Sequence, residues 1–247
     1  MKTSKIILAS VILSTGLSAF AQEPGSEQDR GLATRVADEL AKKDRFRAID
    51  VEAGDGIVTL SGNVDLYIDK LDAEKRVRKM QDVESVLNYI DVKSAGAEDA
   101  DLREVLADRL RYDRIGQGIV FNNLTVAVKD GQVTLGGTVR DYPDRNSALA
   151  IVETTPGVKD VLDEVEVAPL SPSDDMLRVR LARAIYGHEN LRRYANDPQA
   201  PIRIVVKNGN VELHGVVLSE ADRTIAYTVA NSAPGVFSVE NNIVIAR

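Results

Sequence analysis

His188 and His214 are the residues of this chain best suited to acid–base or metal chemistry, and neither has a companion. His188 has no Cys, second His or paired carboxylates around it at metal-ligand spacing. With no cysteine in 247 residues, disulfides, zinc-thiolate sites and thiol nucleophiles are excluded. The acidic run Asp160-Val161-Leu162-Asp163-Glu164-Val165-Glu166 alternates with apolar residues and lacks the Asp-x-Asp-x-Asp-Gly pattern of a calcium loop. It reads as the solvated face of a strand. The glycines in Val-x-Leu-x-Gly segments are not followed by Gly-Lys-Ser/Thr, so they form no phosphate loop. No catalytic residue, metal site or cofactor is expected.

Charge narrows the field further. A net charge of −7 is unsuited to nucleic acid, because neutralising phosphates needs a dense basic face. Within that acidic background, 29–96 carries 12 basic and 14 acidic residues and 97–170 carries 8 and 14. Only 171–247, with 9 and 8, escapes net negative charge. That last stretch also holds Arg178, Arg180, Arg183, Tyr186, Leu191, Arg192, Arg193 and Tyr194, a mixture without a counterpart elsewhere in the chain. Arginine contacts phosphate bidentately and tyrosine suits a boundary between apolar and wet surroundings. These eight residues are the candidate surface for an anionic phospholipid membrane, opposed by Asp174, Asp175 and Glu189.

The elements that must position them come in three copies. Gly56-Ile57-Val58-Thr59-Leu60-Ser61-Gly62-Asn63-Val64 recurs at Gly131–Val139 and again at Gly209–Val217, at offsets of 75 and 78 residues. The same offsets align Asp82-Val83-Glu84-Ser85-Val86 with Gly157–Val161 and Gly235–Val239. They also align Asp69, Asp144 and Asp222, each followed by a basic residue, and then Ala73, Ala148 and Ala226. His214 falls where the other copies have Ser61 and Gly136, which favours a solvent-facing strand position.

Each copy opens with apolar residues four apart, as in Leu32/Val36/Leu40, Leu102/Leu106/Leu110 and Leu177/Leu181/Ile185, the stripe of an amphipathic helix. Alternating residues then mark two strands joined at Asp55-Gly56, Asp130-Gly131 or Asn208-Gly209, dipeptides that suit a tight hairpin. Gly62, Gly137 and Gly215 are expected to point at the core beneath a closely packed helix. A second helix is predicted over 68–80, 144–154 and 220–232, with the recurring Asp at its start and the basic neighbour solvated. Its end is marked by Asp82, Gly157 and Gly235, and a last strand follows. The stretch between first helix and first strand lengthens from copy to copy.

This αββαβ unit, with its V-x-L-x-G-x-V strand and closing G-V-x-x-V segment, resembles the BON domain, found in exported osmotic-stress and envelope proteins. The resemblance implies an α+β fold of three tandem units, each a small three-stranded sheet packed on two helices. It also implies a periplasmic, non-enzymatic protein of envelope integrity or osmotic protection, in some members binding phospholipid. The expected partner is an anionic phospholipid surface, with a periplasmic envelope protein, and hence an adaptor role, as the alternative. The units are expected at 29–93, 99–168 and 174–247. Residues 1–21 read as a signal peptide, with Lys2 and Lys5, an apolar stretch and Ala19-Phe20-Ala21 for cleavage after Ala21. A disordered leader is expected over 22–28, and no transmembrane span in the mature chain. Units of ~70 residues without disulfides bury little core each, so neighbours are expected to dock.

Overall fold

The computed structural model describes residues 26–93, 96, 98–112, 119–196 and 202–246. The expected signal peptide and its cleavage point lie outside the described residues. The first unit runs α1 (Glu27–Ala41), β1 (Ile49–Gly54), β2 (Ile57–Val64), α2 (Tyr67–Val77), β3 (Ser85–Asn88) and β4 (Asp91–Val92). The second runs α3 (Asp99–Tyr112), β5 (Asn123–Lys129), β6 (Gln132–Val139), α4 (Tyr142–Glu153) and β7 (Asp160–Val167). The third runs α5 (Pro172–Gly187), β8 (Arg203–Lys207), β9 (Asn210–Val217), α6 (Glu220–Asn231) and β10 (Ser238–Ile245). Short 3-10 turns at Asp44–Phe46, Ile119–Phe121 and Arg192–Asn196 precede the first strands. The chain is therefore α+β, in three repeated units.

In every unit the hairpin is antiparallel, and the last strand returns parallel to the hairpin's second strand, which sits centrally. The hairpin turns carry positive φ at both central residues: 50° and 77° at Asp55-Gly56, 55° and 79° at Asp130-Gly131, 51° and 77° at Asn208-Gly209. Asp82, Gly157 and Gly235 follow the second helices at φ 68°, 95° and 94°. The apolar stripes of α1 and α5 are buried as expected, and so are Ala73, Ala148 and Ala226.

Four sequence expectations need correction. The recurring strand glycines do not make room for a helix. Gly62, Gly137 and Gly215 take φ of 97°, 98° and 127°. A Cβ at Gly62 would lie 2.1 Å from the Ala48 carbonyl oxygen, and one at Gly137 2.0 Å from that of Asn123. The neighbouring backbone, not a helix, demands glycine there. Asp163 does not face solvent with its acidic neighbours. It shares the inward register with Val161 and Val165 and pairs with Arg145, which is therefore not simply solvated. Residues 27 and 28, assigned to the leader, are already helical because Ser26 and Asp29 form a reciprocal cap. The last strand of the first unit is split, since both β3 and β4 pair with β2.

A further recurrence emerges only in three dimensions. Asp29, Asp99 and Asp174, each three residues before the first core leucine, reach across to the hairpin turn. Asp29 accepts from the Asp55 N–H at 3.0 Å. Asp99 accepts from Asp130 and Gly131 at 2.7 and 3.0 Å, and Asp174 from Asn208 and Gly209 at 2.8 and 2.9 Å. One carboxylate thus satisfies turn N–H groups that have no strand partner.

The first two units share a continuous apolar core, whereas the third has its own. Tyr67, at the start of α2, is buried and its hydroxyl meets Asp160 of the second unit. Burial, and then the Asp160 charge, push that phenol up to about 12. The second unit reaches the third through Val120 and Phe121, which pack against the third core, and through Glu166–Lys207 at 2.6 Å.

Candidate functional site

The eight residues singled out in the third unit separate into two groups. Arg178 is 3% exposed; its guanidinium donates to the Val206 carbonyl at 2.6 Å and to Asp175 at 2.6 Å. Leu191 and Tyr194 are core residues. The Tyr194 hydroxyl donates to Asp222 at 2.8 Å and accepts from the Leu218 N–H at 2.8 Å. Tyr186 is half-buried and donates to the Ile202 carbonyl, with burial pushing its phenol up. These four side chains close the third unit and offer no membrane contact.

Arg180, Arg183, Arg192 and Arg193 remain exposed. Arg193 is committed inward, however, pairing with Asp222 and lying 5.2 Å from the centre of the Tyr194 ring. Arg180 and Arg183 fall on α5 with Met176 and Val179 at positions i, i+3, i+4 and i+7, a single stripe opposite the buried Leu177, Leu181 and Ile185. Met176 and Val179 are 63% and 43% exposed. Arg180 also donates to the Pro234 carbonyl, tying the stripe to the turn before Phe237, which is 82% exposed. Sequence reasoning missed Met176, Val179 and Phe237. The helical stripe of Met176 and Val179 was readable, but the bond from Arg180 to the turn before Phe237 depends on the fold.

The Arg–aromatic pairing is not peculiar to the third unit, which corrects a further sequence expectation. Arg45 pairs with the buried Asp69 at 3.0 Å and lies 4.8 Å from the Phe46 ring centre. Thus Arg45-Phe46 and Arg193-Tyr194 do the same work from 3-10 turns of different length. The electrostatic outcome differs. Burial raises the Asp69 carboxyl despite Arg45. Asp222 is also penalised by burial, but hydrogen bonds from Tyr194 and Ser219, with Arg193, hold it below the usual carboxylate range. Phe46 has no hydroxyl to supply the equivalent bond.

His214 is half-buried rather than fully solvent-facing and lies 3.1 Å from Glu212 on its own strand. His188 ends α5. Among the described residues no group of His, Asp and Glu is arranged to hold a metal ion, and no helix is long and apolar enough to cross a membrane.

The repeated unit also matches a known family. A model of the BON domain matches residues 28–94, 98–169 and 180–247. The chain belongs to the BON domain family. Membership makes it envelope-related, in a family generally without catalytic activity. A protein of Anaplasma centrale described as "Uncharacterized protein in gshII 5'region" is 28% identical over 145 residues, 56% of this chain and 94% of that protein. Two solved structures of CdsD, a structural protein of the type III secretion system of Chlamydia trachomatis, each align with 87% of this BON-domain chain. They cover 92% and 98% of their own chains at 15% and 13% identity, with TM-scores of 0.25 and 0.24.

Proposed function

We propose that this BON-domain protein is an exported, non-enzymatic envelope or osmotic-stress factor that associates with anionic phospholipid surfaces through its third unit. The observation that carries this reading is the outer stripe of α5, where the exposed Met176 and Val179 are followed by Arg180 and Arg183, with Arg180 joined to the turn that leads to the exposed Phe237. Apolar side chains enter the headgroup boundary while arginines stay at phosphate level. Basic residues near an anionic leaflet contribute about 1 kcal/mol each, so Arg180, Arg183 and Arg192 together supply roughly a hundredfold in partitioning. The third unit is also the one without net negative charge. Export is part of the same reading: mass spectrometry of the periplasmic or secreted protein should find Gln22 as its first residue.

Co-sedimentation with phosphatidylglycerol vesicles tests the surface. Replacing Arg180, Arg183 and Arg192 with Glu, and Phe237 with Ser, should abolish binding at moderate salt while circular dichroism stays unchanged. Binding that survives these changes, or is indifferent to salt and to anionic lipid, overturns the reading. A folded chain that ignores vesicles yet captures one envelope protein stoichiometrically would make it an adaptor instead.

A further inference from the structure

The most informative contrast lies on the flank of each first helix that faces the first strand. Counting from the first core leucine, Ala33, Arg103 and Arg178 are equivalent, as are Ala37, Ala107 and Ala182, and then Ala41, Arg111 and Tyr186. The first unit lines this flank with alanine. The third closes it with Arg178 and Tyr186, which donate to the Val206 and Ile202 carbonyls of the edge strand. The second unit does neither. Between α3 and β5 it keeps a cleft of about 180 Å³, lined by Arg103, Ala107, Leu110, Arg111, Asn122, Leu124, Val126 and, from the third unit, Arg203.

Arg103, Arg111 and Asn122 keep donors to spare in this cleft. Arg103 is exposed and forms no ion pair among the described residues. Arg111 is about one-third exposed and meets one carboxylate, the more exposed Asp108, at 3.5 Å. Asn122 is 2% exposed; its Oδ1 accepts from the Arg140 N–H at 2.9 Å, but its Nδ2 has no hydrogen-bond partner among the described residues. A buried amide donor left unsatisfied is costly and marks a place where an acceptor belongs. Arg203 lines the cleft from β8, a strand joined to the second unit by Lys207–Glu166.

We propose that this cleft binds a small phosphate-bearing molecule at the junction of the second and third units. The guanidinium groups of Arg103 and Arg111 and the Asn122 amide N–H offer more donors than one carboxylate has lone pairs to accept, whereas a phosphate matches them. Leu110, Leu124 and Val126 provide an apolar wall for a short carbon skeleton. The volume admits a few heavy atoms beyond the phosphate and no more: a cavity of about 150 Å³ holds benzene. Since Arg203 belongs to the third unit, an occupant also ties the two units together. This site is separate from the α5 stripe, so either can fail without the other.

The full chain should be titrated calorimetrically with glycerol 3-phosphate and with inorganic phosphate, and sedimented with phosphatidylglycerol vesicles. Arg111→Tyr places the third unit's own solution in the cleft, and Arg103→Ala the first unit's; circular dichroism and melting confirm that both fold. One equivalent of glycerol 3-phosphate is expected to bind, weakened roughly tenfold or more by either variant. If the variants lose the soluble anions but keep vesicle binding, the occupant is a free phosphate ester; if vesicle binding falls too, it is a lipid headgroup. Absence of binding by all three probes overturns the proposal, as does binding that both folded variants leave unchanged.

Discussion

Two hydroxyls, those of Tyr194 and Ser219, separate Asp222 from its equivalent Asp69, where the first unit has Phe46 and Leu66. Tyr194 donates to Asp222, while Phe46 in the same role donates nothing. Asp222 therefore has a lowered folded pKa, and Asp69 a raised one. A lowered carboxylate contributes stability that is whole above its unfolded value of about 3.9 and is lost as pH falls through the folded pKa. A raised one does the reverse: its ionisation weakens the fold once pH climbs past the unfolded value. Acidification below about pH 4 should thus erode the third unit at this site and spare the first. NMR titration of the two carboxyls would show it, and crossing in the other order would refute it. Tyr194→Phe should raise the Asp222 pKa and destabilise the third unit by about 1–3 kcal/mol, since Leu218 N–H also loses its acceptor. The recurring aspartates were legible from sequence because they lie at fixed offsets. Their arginines were not, because Phe46 stands three residues before β1 and Tyr194 nine before β8.

Among the elements, the hairpin shows what a sequence pattern leaves undecided. Alternation through Val58, Leu60 and Val64 correctly separates the faces of β2, and the Asp-Gly and Asn-Gly turns are legible from their chemistry. The role of Gly62 was misread because a missing side chain looks the same whether a helix or a backbone carbonyl fills the space. The structure makes a sharper test possible. Gly137→Ala puts a Cβ against the Asn123 carbonyl at positive φ, whereas Gly136→Ala meets side chains alone, the Thr125 hydroxyl at 3.1 Å and the Glu164 Cβ at 3.9 Å, at a φ that alanine tolerates. In urea melts Gly137→Ala should lose about 1–3 kcal/mol and Gly136→Ala clearly less. Equal losses would mean the strand shifts freely to accept either. The clasp from helix to turn belongs to the same scale. Asp174→Ala strands the Asn208 and Gly209 N–H groups and should cost about 1.5–3 kcal/mol, measured by the same melts. Its signal, an Asp three residues before each first leucine, was present in the sequence but has meaning only once the turn is seen beside it.

Across the whole molecule, three similar units are not three equivalent domains. The first two are joined through one core and Tyr67, and the third stands on its own core. Internal offsets reveal the copies, but not which neighbours merge, because Tyr67 has its partner in a different repeat. Two unfolding steps are expected, one for the first pair and one for the third unit. Tyr67→Ala should lower the first by about 3 kcal/mol and leave the second in place. Hydrogen exchange resolved by segment would report this directly; a loss confined to the first unit would show that the pair is not coupled.

The short turns that lead into β1 and β8 carry one more consequence. Each ends on a fixed post, an arginine on the second helix's buried aspartate with its aromatic neighbour in the core. The chain between first helix and post can therefore lengthen without moving either end. From Leu40 to Arg45 is 5 positions and from Ile185 to Arg193 is 8, yet the same core forms behind both. Even a full doubling of a loop costs only about 0.6 kcal/mol in closure entropy. The corner after α5 is thus a ready-made display site, where a foreign peptide grafted beside Glu189 and Asn190 would stand out from the scaffold while Arg193 and Tyr194 keep it moored.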